Sequence, residues 1–394
     1  MLFRLWGAPD LPDLAWMPDR SRPDGGTHLL VGRHALVREV LADALTYRPD
    51  NALDAMTPIP VAALRILSRH GFRLPPTLAN NGTDSHPGIR ALVGEALHPA
   101  RVAEQRPWLT GLVRRRVTAL ATRLRAGETV DLYAELAADL PLLVLARLVA
   151  LPEEDVAVVK RFSRAALELF WAPVSEARQQ HLAEVVGHYH AVLRRFAATA
   201  PGLVGQLRSR GLEADQVIGA LFFLLVAGQE TTSQYLTLLM DRLAATPSVT
   251  AGLCAGTVDV DDVVEEGLRL DPPIETWRRV TAHEATLGGE RVPAGTSVVL
   301  WLARAGRDPE LTGAPDDFVP GQRGSRRHVA FGAGAHRCSG AALARMEAAV
   351  VAAETAPLLR RITVLRRPWC PDNLSFRMPD TLLVAARPGA AQRR

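Results

Sequence analysis

The chain has 394 residues, 48% of them apolar, and a formal net charge of +4. That length can bury a large core, and the balanced charge, with no basic–aromatic interleaving, excludes a dedicated nucleic-acid binder. Three cysteines without paired spacing exclude a disulfide scaffold and point to a reducing compartment.

In chain order, the first segment, residues 1–20, is broken by Pro9, Pro12 and Asp13 and carries no long apolar run. It reads as neither a signal peptide nor an anchor, so a cytoplasmic protein with no membrane association is expected. No linker-like run or short-period repeat divides the chain, and a single domain over residues 1–394 is expected, with 1–30 as a short, atypical lead-in. Residues 35–45 space their apolar side chains as a surface helix does. Residues 68–84 are rich in breakers and read as an ordered loop. A helix should open near His86, with Asp84 and Ser85 as capping candidates and Pro87 in its first turn. Further helices are predicted over 107–124, 133–151, 153–170 and 175–199, and a long one with a very apolar centre over 216–244. Beyond Pro272 the pattern changes: residues 285–302 carry β-branched runs around glycine turns, as a hairpin does. Residues 304–327 form a long irregular stretch of the kind that is usually functional or pinned. A helix over 339–361 and short strands over 365–387 complete an α+β chain in which helices dominate. Arginine supplies almost all the positive charge; of the 46 basic residues only Lys160 is a lysine.

Three local patterns carry chemistry. Residues 331–340, FGAGAHRCSG, place three glycines and Cys338 just before a predicted helix. Glycines allow tight turns and close approach to a flat ligand, and a helix N-terminus favours thiolate. Taken alone, the same cysteine also fits a buried structural thiol. Second, Glu230 and Thr231 interrupt the apolar centre of the 216–244 helix, and polar groups there need hydrogen-bonding partners. Third, Glu266 and Arg269 are three apart, on one helical face, which by itself suits an ordinary surface ion pair.

The first segment resembles the haem-binding loop of the cytochrome P450 family, F-G-x-G-x-H-x-C-x-G, at Phe331, Gly332, Gly334, His336, Cys338 and Gly340. The resemblance runs from about residue 35 to 387. It implies a helix-rich triangular prism with small sheets and a buried haem b between the 216–244 helix and the cysteine loop. It makes Cys338 the axial iron ligand, His336 a propionate contact and Phe331 a neighbour of the thiolate. The stretch Ala227 to Thr232 resembles the family's acid–alcohol motif, so Glu230 and Thr231 would deliver protons while Ala227 and Gly228 leave space for dioxygen; Gln229 stands where many bacterial members have His. Glu266 and Arg269 match the family's structural pair. Asp317 stands where the Arg of the family's third partner is common, and Arg323 is the expected third partner. His86, Arg90 and Arg279 match cationic propionate contacts, and Gly306 replaces an Asn the family often has.

The implied activity is a monooxygenase reaction fed by electrons from NAD(P)H through a separate ferredoxin and ferredoxin reductase. The substrate would be a small molecule or small peptide, with C–H hydroxylation in secondary metabolism as the main expectation. The 74–86 stretch is also similar to loops of members that couple aromatic side chains of small peptides. A non-catalytic haem protein and a peroxide-using relative are disfavoured by the intact Glu230–Thr231 pair. The expected pocket lining includes Asn80, Asn81, Phe170, Trp171, Leu224, Trp277 and Leu374.

Overall fold

A computed structural model describes residues 11–18, 26–73, 76–151 and 156–388. The expectations for residues 1–10 and for the start of the 153–170 helix lie outside the described residues. Helices make up most of the rest. His86–Ala96 opens with Pro87 in its first turn. Arg106–Arg125 is a 20-residue helix. Val156–Trp171 and Glu176–Thr199 follow, the latter capped by Ser175, whose side chain accepts from the Arg178 N–H. The 133–151 stretch is not one regular helix: a π-helical turn at Tyr133–Ala137 leads into Leu140–Val149. Helices at Val61–Arg69, Gly202–Ser209 and Pro247–Ala255 lie outside the expected set.

The long helix expected over 216–244 is two helices, Ala214–Ala227 and Glu230–Ala245. The break falls at Gly228 and Gln229. Thr231 donates its Oγ1 hydrogen to the Ala227 carbonyl at 2.8 Å, and Gln229 sits at φ −133°, outside the helical region. A side chain that bonds the carbonyl four residues back weakens a helix slightly, and here it sits at the point where the helix is interrupted.

A five-stranded sheet is ordered Leu14–Pro18, Thr27–Val31, Ser297–Trp301, Thr276–Thr281, Tyr47–Arg48, with one parallel pairing between the second and third strands. The expected hairpin exists at Ala285–Leu287 and Glu290–Val292, but Ser297–Trp301 leaves it to join this larger sheet. Val130–Asp131, Leu383–Ala386 and Ile362–Arg366 form a second sheet. The major apolar cluster runs through the helices from Leu53 to Val384, and a second packs the strands against His34–Ala42. No helix among the described residues is long and apolar enough to cross a membrane.

Candidate active site

A cavity opens between the helix break and the cysteine loop. Ala227, Gly228, Thr231 and Thr232 line one wall; Phe331, Gly332, His336, Cys338 and Gly340 line the other. The loop's path depends on backbone freedom. Gly332 and Gly334 lie at φ +66° and +67°, and a Cβ on Gly334 would come within 2.3 Å of the Leu41 carbonyl oxygen. Cys338 faces the cavity directly ahead of the Ala341–Leu359 helix and donates its N–H to the Phe331 carbonyl at 2.8 Å. Burial pushes its thiol up, against the pull of the Gly340 backbone and of Arg90, Arg345 and Arg337. Arg345 lies 4.5 Å over the Phe331 ring and is held by Glu265.

The cavity rim is cationic, and among the described residues no carboxylate lines it. Arg279 is buried, donates to the Arg278 carbonyl at 2.8 Å, and burial alone pulls its guanidinium down to about 10. Burial, then the charges of His86 and Arg279, holds His336 at about 4. The His86 and His336 rings lie 4.2 Å apart, and buried His86 leaves its Nε2 without a partner. Arg90 also faces the cavity and donates to the Arg337 carbonyl. A buried guanidinium facing only neutral groups is costly unless an anion joins it. This donor set, opposite a thiol on a glycine loop, suits a flat ligand that carries two carboxylates and a thiolate-accepting metal, as haem does.

Glu230 does not line the cavity: it is fully buried behind the Ala227–Thr232 wall. Lys160 reaches in from Val156–Trp171 and places Nζ 2.6 Å from Glu230 Oε1, 3.0 Å from Gln229 Oε1 and 3.5 Å from Ser233 Oγ. The contact is an ion pair by distance. Lys160 was not among the expected site residues; its one signal in sequence is that it is the single lysine in an arginine-rich chain.

Glu266 and Arg269 do not form a surface pair: both are fully buried and meet through two 2.8 Å hydrogen bonds. Arg269 also donates to the carbonyls of Gly306, Pro315, Ala314 and Asp317. At Gly306 the backbone leaves no room for a side chain: a Cβ there would stand 2.3 Å from the Arg269 carbonyl oxygen. The third partner expected at Arg323 is elsewhere. Arg323 is exposed, and Glu266 instead accepts from Gln322 Nε2 at 2.5 Å, Ser325 Oγ at 2.7 Å and the Val319 N–H at 3.0 Å.

Of the expected pocket residues, Leu224 and Trp277 line the cavity; Asn80, Asn81, Phe170, Trp171 and Leu374 do not. Asn80 Oδ1 accepts from Thr77, and Asn81 bonds Thr83 and Ser85, so both amides shape their own loop. Their apolar neighbours Leu78 and Ala79 face the cavity instead. Trp171 packs edge-on against Phe376, which packs edge-on against Trp277.

Comparison with known proteins agrees with this geometry. The cytochrome P450 family model matches residues 260–364, which span the Glu266–Arg269 pair and the cysteine loop. Cytochrome P450-SU2 of Streptomyces griseolus is 33% identical over 380 residues, covering 94% of this chain and 90% of the relative. The chain belongs to the cytochrome P450 family. The erythromycin C-12 hydroxylase of Saccharopolyspora erythraea is 28% identical over 350 residues, 85% of this chain and 83% of that one. The solved structure of cytochrome P450 CREJ in complex with (4-ethylphenyl) dihydrogen phosphate superposes with a TM-score of 0.88 at 23% identity, covering 97% of this chain and 95% of that one. This P450 is thus a monooxygenase-type oxidoreductase with the helix-rich fold of its family.

Proposed function

We propose that this P450 hydroxylates a small, largely apolar organic molecule in secondary metabolism. Electrons would come from NAD(P)H through a separate ferredoxin and ferredoxin reductase in the cytoplasm. The observation that carries the substrate class is the cavity wall. Leu78, Ala79, Phe223, Leu224, Ile274 and Trp277 present hydrocarbon and aromatic surface there, and Thr231 and Thr232 bring the nearby hydroxyls. An apolar wall with few polar groups selects by shape and leaves a C–H bond as the reactive site. A small peptide with several amide groups would leave many of them unpaired against that wall.

In this reading Cys338 binds the iron as thiolate, and Arg279, His336, His86 and Arg90 hold the propionates. Haem, when bound, supplies the dioxygen-activating chemistry of the family. The protein's part is to position and to move protons. Ala227 and Gly228 leave room above the iron-binding face, and Thr231, already turned into the break, offers a hydroxyl there. Glu230, behind it, supplies the proton, and Lys160 holds its carboxyl in place at 2.6 Å. General acid–base positioning of this kind contributes about 10²–10⁴-fold.

The test begins with a library of small apolar metabolites screened for a substrate-induced spin shift. A hit is then turned over under ¹⁸O₂ with a surrogate ferredoxin and reductase. Incorporation of one labelled oxygen atom per product supports hydroxylation. An oxidised product without label, joined between two aromatic rings or carrying a new double bond, overturns it.

A further inference from the structure

A second cleft, of about 860 Å³, lies on the far side of Lys160, between Val156–Trp171, Glu176–Thr199 and the π-helical turn at Tyr133–Ala137. Lys160, Arg161, Arg164 and Arg178 face it with His70, His181 and His188, against the two carboxylates Glu168 and Glu184. Those carboxylates are taken: Glu168 by Arg178 through two 2.7 Å bonds, and Glu184 by Arg69 and His70. Lys160 is spent on Glu230. Two guanidiniums remain. Arg161 is exposed and makes no ion pair among the described residues, while half-buried Arg164 gives its hydrogen bond to the Tyr133 hydroxyl at 2.9 Å. Lys160 and Arg164 are four apart and share a helix face.

We propose that this cleft binds a small phosphate-bearing anion, and that filling it weakens the hold of Lys160 on Glu230. The forked donors of Arg161 and Arg164 suit phosphate oxygens, and an anion seated between them stands beside the Lys160 ammonium as a second acceptor. Lys160 is then shared between the anion outside and Glu230 inside. Binding in the cleft would therefore reach the proton-delivering carboxylate through one side chain, with no movement of the haem site required. Any ligand that discriminates between the two positions of Lys160 shifts their populations. This coupling rests on the proton-delivery reading of Glu230; the binding site itself does not.

The test uses the haem-loaded enzyme and inorganic pyrophosphate, with ionic strength held constant by sodium chloride. Calorimetry should show saturable one-to-one binding to the wild type and at least tenfold weaker binding to the Arg161→Ala/Arg164→Ala variant. No saturable heat, or equal affinity in both proteins, overturns the site. With a turnover substrate, pyrophosphate should change the share of reducing equivalents lost as peroxide in the wild type and leave that share unchanged in the double variant. Binding without any change in that share overturns the link through Lys160. Glu230→Gln without anion is the separate control: unaltered coupling there rejects the proton-delivery reading, while the calorimetry still decides the site.

Discussion

Lys160 and Glu230 meet at 2.6 Å with the carboxylate fully buried and a fifth of the lysine side chain exposed. Removing the cation leaves a buried carboxylate without its partner. Lys160→Met should therefore destabilise the protein at the lower end of the roughly 3–5 kcal/mol typical of a broken buried pair, the exposed lysine setting the discount. Lys160→Arg should recover most of the loss; denaturant unfolding of the three proteins measures it, and equal stability would reject the pair as a structural contact. Thr231→Ala should keep the substrate-induced spin shift yet divert reducing equivalents to peroxide, with product formation falling toward the low end of about 10²–10⁴-fold. Unchanged product per NAD(P)H consumed would remove Thr231 from proton delivery. At this scale sequence serves best where function is local. The spacing of Phe331, His336 and Cys338 is readable because all three sit on one short loop. Arg323 was misplaced because the choice among Gln322, Arg323 and Ser325 depends on the path of an irregular backbone, fixed only when it folds against Glu266. Asn80 and Asn81 look like pocket donors in sequence, but short amides satisfy neighbouring backbone first.

Among elements, the helix break shows what periodicity misses. Apolar spacing runs unbroken across residues 216–244, and a two-residue interruption leaves the average pattern intact, so a single helix is the natural expectation. The opening coincides with the Thr231 hydroxyl turned back to the Ala227 carbonyl and with Gln229 outside helical φ. The strand at Ser297–Trp301 was misread for a different reason: its parallel partner, Thr27–Val31, is distant in sequence, and local turn signals favour the nearer hairpin. The Val260–Leu270 helix is fastened to the cysteine-loop side by Glu265. Burial works to raise that carboxyl, but the His328 ring 3.3 Å away and the hydrogen bonds of Arg345 prevail and hold it at about 2, below its usual 4.5. A depressed folded value stabilises the fold above the unfolded value and loses that contribution as pH falls through the window from about 4.5 to about 2. Glu265→Gln should therefore be less stable than wild type near neutrality, and the gap should narrow on acidification. Denaturant midpoints followed from neutral pH into the acid range check this, and a gap that stays constant would contradict it.

For the molecule as a whole, the resemblance carried the architecture further than pattern reading could, because the haem cavity is built from segments more than a hundred residues apart. Of the arginines flanking the cysteine loop, Arg326 pairs with Asp262 and Arg345 with Glu265; on the Arg106–Arg125 helix, Arg114 pairs with Glu354 and Arg116 with Asp139, away from that loop. Arg327, on the same loop stretch as Cys338, is exposed and makes no ion pair among the described residues, and on the proposed reading it would steer an acidic electron donor. Stopped-flow reduction by a competent ferredoxin should slow as the screening length shrinks toward about 3 Å at 1 M salt, and Arg327→Glu should mimic that slowing at low salt. A rate indifferent to both would reject steering by this face. The account as a whole stands on Cys338 as the iron ligand, and the most direct measurement is the difference spectrum of the reduced carbon monoxide complex. Wild type, Cys254→Ser and Cys370→Ser should all show the red-shifted Soret band of thiolate-ligated haem, and Cys338→Ser should lose it; retention of that band in Cys338→Ser, or its loss in either of the other two, would contradict the assignment.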